Sequence, residues 1–260
     1  MTNQEPKQQT VAKKAESKLP VLDISMMEND ASKGLENLTQ DDLATPRIKV
    51  LMALSPEIET IEGAKAGMIY NTVTNELYDG LKGIRVLHCA YERQYVEWTD
   101  RGQGTSAPVN IYSASSDILT KTTRDDNNKD RLENGNYIET CGNHFILVVG
   151  ENGVTTPAVI TMKGTQLKKS KKWNTVRQTQ KLEGKNGLFT PPSYAFFYRL
   201  KTVKEGNDKG NWHGWEVTIE EQLTNANYYS EAKLFDESVG KGESKVKYEE
   251  DAPSSASTPF

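Results

Sequence analysis

The chain has 260 residues, of which 35% are hydrophobic and 26% charged, with 2 Cys and a formal net charge of −4. The hydrophobic share lies below the roughly 45–50% of ordinary globular domains, which suits a core diluted by polar tails and loops. Two cysteines exclude a disulfide scaffold, no run approaches the roughly 18 apolar residues of a membrane span, and no apolar h-region follows Met1. The composition therefore predicts a soluble protein of a reducing, cytoplasmic setting, with no membrane partner.

Residues 1–45 are polar and mixed in charge, and predict a flexible N-terminal segment. In RIKVLMAL, Ile48, Val50 and Met52 alternate and favour a strand. GMIYNTV (67–73) and GIRVLHCAYERQYVEW (83–98) follow as strands, the second long or bent and rich in β-branched and aromatic residues. Residues 99–136 read as an exposed insertion without periodicity. Residues 137–150 and 155–162 are strands joined through Asn152-Gly153, a strong hairpin signal.

Residues 165–182 hold no Gly or Pro and predict a helix capped by Thr165, with a thin apolar stripe of Leu167, Trp173, Val176 and Leu182. SYAFFYRLKTV (193–203) and WHGWEVTI (212–219) are strands, residues 220–236 are helical, and the end is a free tail. The expectation is a mainly β protein: an OB-like five-stranded antiparallel barrel with one helix between strands three and four, plus a C-terminal helix and disordered tails. Its parts would be a flexible 1–45, an OB-like nucleic-acid-binding domain over 46–222 carrying the 99–136 insertion, a helical extension over 223–242 and a disordered tail over 243–260. A β-sandwich with one helix is the alternative.

Charge is unevenly spread. Residues 163–185 hold eight cations (Lys163, Lys168, Lys169, Lys171, Lys172, Arg177, Lys181, Lys185) and the single acid Glu183, hence +7, so the rest of the chain carries −4 − 7 = −11. Like charges on one helix repel, so the cluster favours an anionic partner in a defined groove. Single-stranded nucleic acid needs cations for its backbone and flat side chains for its bases. The predicted phosphate contacts are Lys163, Lys168, Lys169, Lys171, Lys172, Arg177 and Lys181. Trp173, flanked by cations, is the stacking candidate. Alternation puts Phe197, Arg199 and Lys201 on a wet strand face that would add to the site, and Tyr194, Phe196, Tyr198 and Leu200 on the core face.

The C-terminal stretch is acidic at Glu249, Glu250 and Asp251, and ends in Pro259-Phe260. The basic helix, the β order over 46–220, this ending, and PRIKVLMALSPEI (46–58), EGAKAGMIYNTVT (62–74) and MKGTQLKKSKKW (162–173) together resemble the single-stranded DNA-binding proteins of bacteriophages. That resemblance implies an OB-fold protein that covers single-stranded DNA during replication, recombination and repair, in some relatives also transcription. It implies a flexible acidic tail, here Glu249, Glu250, Asp251, Pro259 and Phe260, that recruits replication or recombination proteins in the host cytoplasm. This chain departs from the pattern: eight neutral residues separate Asp251 from Phe260, and Lys245 and Lys247 dilute the acids. A second copy of the chain is a further candidate partner.

No P-loop, GxGxxG, HExxH or GxSxG pattern occurs, so the reading is non-enzymatic, with no cofactor and no metal. His88-Cys89 and Cys141/His144 fall on opposite strand faces, which disfavours zinc. A metal nuclease built on Glu183-Gly184-Lys185 with Asp125, Asp126 or Asp130 is the enzymatic rival. A structural or interaction protein of a virion or complex is the other alternative.

Overall fold

The computed structural model describes residues 23–39, 42–100, 102–103, 107–208 and 210–248. The chain divides into two compact units, Met1–Thr39 and Gln40–Phe260. In the first, Asp23 caps the short helix α1 (Ile24–Asn29) by accepting from the Ser25 amide. The expectations for 1–22 and 249–260, including the tail residues Glu249, Glu250, Asp251, Pro259 and Phe260, lie outside the described residues.

In the second unit, β1 (Ile48–Val50) precedes a helical turn, α2 (Glu57–Thr60), and pairs with β2 (Ile69–Asn71), which pairs with β3 (Leu77–Tyr78). The long strand β4 (Ile84–Trp98) leads into the insertion, which holds β5 (Asn110–Ser113), β6 (Thr123–Arg124) and β7 (Asp130–Arg131). The strands β8 (Tyr137–Val149) and β9 (Thr155–Lys163) come next, then helix α3 (Leu167–Thr179). A small hairpin, β10 (Leu182–Gly184) and β11 (Gly187–Phe189), precedes β12 (Phe196–Asn207), β13 (Gly210–Gln222) and helix α4 (Ala226–Gly240).

The protein is mainly β, as its β-branched and aromatic runs predict. The main sheet is larger than a five-stranded barrel and stays open. Its long strands lie in the order β13-β12-β4-β8-β9, all antiparallel, and β13 and β9 do not pair with each other. Strand β4 is the hub. It pairs with β8 along its length, with β12 through Ile84–Leu87 and with β5 through Gln94–Glu97, and a bulge shifts its register at Cys89.

Both faces of the sheet's centre are covered, so apolar residues run consecutively there, as in Phe145–Val149 of β8 and Ala158–Ile160 of β9. On one face Ile84, Val86, Ile146, Ile160, Tyr198 and Leu200 pack with Ile48 and Ile69 of the small sheet and Trp173 of α3. On the other, Leu87, Cys89, Phe145, Leu147 and Phe197 pack under α4. Helix α4 turns Tyr228, Ala232, Phe235 and Val239 to the sheet at helical spacing, and Asn225 caps it by accepting from the Asn227 and Tyr228 amides. The helix begins later than predicted because β13 continues to Gln222. The start of the expected free tail is also packed: Ser244 and Val246 are buried, and the Tyr248 hydroxyl bonds Asn143 and Gln94.

Candidate functional site

Helix α3 lacks a continuous apolar stripe, and its buried face is held by polar contacts instead. Ser170 and Trp173 are each 1% exposed, and Arg177 lies below them at helical spacing. Thr165 does not cap the helix, which starts from a short 3-10 turn with Gln166 at its N-cap. The helix sits close to β8 because residue 142 is glycine: a Cβ there would stand 2.6 Å from Ser170 Oγ.

A directional chain of hydrogen bonds runs beneath the helix. A guanidinium only donates, so Arg177 Nη1 donates to His88 Nδ1 at 3.0 Å. That leaves His88 Nε2–H to donate to His144 Nδ1 at 2.9 Å, and His144 Nε2–H to donate to Ser170 Oγ at 2.8 Å. Burial and then the Arg177 charge hold both imidazoles well below their ordinary pKa, so they are neutral at pH 7. Burial also brings the Arg177 guanidinium down to about 10. The imidazoles share the α3 face, whereas Cys89 and Cys141 pack on the α4 side.

The predicted site residues divide sharply. Trp173 is 1% exposed, stacked on His144 and edge-on to His88 and Tyr198, so it is core and offers no surface to a base. Phe197 is 5% exposed, with the Arg85 guanidinium 3.7 Å over its ring and Tyr228 at its edge, so the strand face expected to be wet is covered by α4. Arg177 points inward to His88 and Asn174 rather than outward to phosphate. Lys163 pairs with Glu139 at 3.0 Å, Lys169 with Glu205 at 2.6 Å and Arg199 with Glu220 at 2.6 Å. A slot of about 70 Å³ beside Lys172, Trp173 and Trp215 is room for about two waters, not a base.

The remaining cations form one exposed set. Lys168, Lys171 and Lys172 fall at i, i+3 and i+4 of α3, and Lys181 and Lys185 follow in sequence at the two ends of β10. All five are exposed, and none makes an ion pair among the described residues. Among the described residues Lys181 donates to the Thr190 hydroxyl alone. Sequence reasoning passed over this hairpin, although Asn186-Gly187 between Leu182 and Leu188 is a hairpin signal. Gly187 closes the turn at φ 98°, a conformation that favours glycine.

The insertion over 99–136, read as irregular, is organised by two charged centres. Glu97, 2% exposed, accepts from Asn110, Tyr112, Asn134 and Asn136. Burial acts to raise its pKa, but these donors outweigh it and hold the carboxyl at about 2. Arg131 bridges Asp100 and Asp125, while Arg124 takes Asp130. Of the acids considered for a nuclease, Asp125 and Asp130 are thus committed to ion pairs within the insertion. Among the described residues no three His, Cys, Asp or Glu side chains group as metal ligands, and no helix is long and apolar enough to cross a membrane.

Comparison with curated proteins and with solved structures yields no match to either. A family model described as Pam3 phage gp34-like protein matches residues 13–245, which covers nearly the whole chain, all the long strands and α3. The chain therefore belongs to the Pam3 phage gp34-like protein family.

Proposed function

We propose that the protein binds single-stranded DNA without enzymatic activity, covering it during phage replication, recombination and repair. The observation that carries this reading is the set of Lys168, Lys171, Lys172, Lys181 and Lys185, exposed on elements consecutive in the chain with no carboxylate paired to them among the described residues. Like charges held together without counter-ions cost stability, and a polyanion laid along them removes that cost.

Strand connectivity supports the same reading. The first long strand, β4, pairs with both the second, β8, and the fourth, β12, as in an OB barrel, and α3 follows the third. In this finer reading the sheet is an OB-like barrel left open between its third and fifth strands, with Trp173 of α3 filling the interior. The acidic tail, Glu249, Glu250 and Asp251 with Pro259 and Phe260, would compete for the lysines and recruit replication partners. Its deletion should then tighten binding at low salt.

The test is anisotropy of labelled oligo-dT, oligo-U and a matched duplex at two salt concentrations, with EDTA present. The reading expects oligo-dT to bind best, with a log–log salt slope of about −0.7 per phosphate contact. Absence of binding at low salt would overturn it. The alternative, a structural or interaction protein of a phage complex, rests on the family membership and would then lead.

A further inference from the structure

With Trp173 and Phe197 buried, the basic surface needs another flat side chain if it is to hold bases. Trp215, Tyr194 and Tyr198 are also buried, and the Trp212 indole is bonded to Glu205. Phe189 differs. It is 46% exposed, and its neighbour Leu188 is 74% exposed. Both sit on the β10–β11 hairpin, which pairs only with itself among the described residues and follows directly from the basic helix.

The hairpin's two faces are distinct. Directly opposed residues share a face, so Phe189 lies beside Leu182, and Glu183 lies beside Leu188. The hairpin's single acid is therefore turned away from the phenyl ring. The ring rests on Gly184, where an added Cβ would stand 3.2 Å from Phe189 Cδ1 and Cε1. One side of the ring is backed by strand backbone, and the remainder faces solvent. Lys181 and Lys185 stand at the two ends of β10, Lys181 on the Glu183 face by the same alternation, and neither makes an ion pair among the described residues.

We propose that the β10–β11 hairpin is a base-stacking arm for single-stranded DNA, with Phe189 as the platform and Lys181 and Lys185 as its phosphate contacts. This rests on the single-stranded DNA reading above. The hairpin's charge selects the occupant: an exposed aromatic on a hairpin that carries two lysines without ion pairs among the described residues suits a polyanion with flat bases better than a neutral or basic protein surface. Lys168, Lys171 and Lys172 lie on the helix that precedes the hairpin in the chain, and that helix carries no acidic side chain.

The experiment uses the full chain and fluorescein-labelled oligo-dT. Phe189→Ala should weaken binding about tenfold or more while leaving the salt slope and the thermal midpoint unchanged. Phe189→Trp should restore affinity and add a fluorescence signal quenched by oligo-dT. Lys181→Gln and Lys185→Gln should each lower the slope by about 0.7. Wild-type binding that Phe189→Ala leaves intact overturns the stacking arm but not the single-stranded DNA reading, whereas a wild type that does not bind overturns both. A dimer that Phe189→Ala dissociates without change in oligo-dT affinity would assign the hairpin to a second copy of the chain, and overturns the proposal too.

Discussion

Trp173 stacks on His144, with ring centroids 4.5 Å apart and planes 17° from parallel. This contact explains how a helix of mean polar character can dock at all. The indole fills the space between α3 and the sheet, and the hydrogen-bonded chain from Arg177 to Ser170 satisfies polar atoms on either side of it. With its buried face fixed in this way, the helix can present Lys168, Lys171 and Lys172 to solvent.

Trp173→Ala should therefore act on stability rather than on stacking. Removal of a fully buried Trp costs about 3–5 kcal/mol. Urea unfolding should show a loss of that size, with oligo-dT affinity unchanged in the fraction that stays folded. A fully stable Trp173→Ala variant with weakened DNA binding would reverse the assignment of this residue to the core.

The buried imidazoles set a pH dependence. Their folded pKa values lie below the unfolded value of about 6.5, so below that pH the unfolded chain binds protons that the folded chain refuses. Stability is full at neutral pH and falls as pH drops. Two such groups should remove about 2–3 kcal/mol between pH 7 and pH 5.5. Urea midpoints across that interval provide the check, and a flat profile would contradict two neutral, buried rings.

The lysines separate by their partners. Changing Lys168, Lys171 and Lys172 together to Gln should lower the log–log salt slope of oligo-dT binding by about 2, at about 0.7 per lost contact. The same change should raise the urea midpoint slightly, since like charges at i, i+3 and i, i+4 repel by about 0.2–0.5 kcal/mol per pair. Lys169→Gln and Arg199→Gln should leave the slope unchanged, because Glu205 and Glu220 already hold those cations. Equal slopes for all these variants would show that the exposed set does not touch the phosphates.

The long strands, the β8–β9 turn and the basic helix were legible because period, β-branching and Asn-Gly are local signals. Exposure on that helix was not. Trp173 lies between Lys172 and Asn174 and has no apolar neighbour in the sequence, yet its pocket comes from His88, His144 and Tyr198, which are distant along the chain. Phe197 looked wet beside Arg199 because α4, which covers it, arrives only after β13. The ion pairs of Lys163, Lys169 and Arg199 likewise depend on strand register. The insertion carried its organising signal in Asn134, Asn136 and Glu97, but their convergence needs the sheet to bring the two ends together.

That convergence is itself testable. Glu97 gathers four side-chain donors from both ends of the insertion, and its carboxyl is held at about 2. Its stabilising effect is full above about pH 4.5 and is lost as pH falls from there toward 2, a window below that of the imidazoles. Glu97→Ala leaves Tyr112, Asn110, Asn134 and Asn136 without their shared acceptor, at a cost of about 1–3 kcal/mol. Because the loss is local, limited proteolysis should cut within 99–136 well before the sheet unfolds. The lysines of α3 lie on other elements, so oligo-dT affinity should stay at the wild-type value. A variant as resistant to protease as the wild type would show that the Arg131 bridges to Asp100 and Asp125 hold the insertion without Glu97.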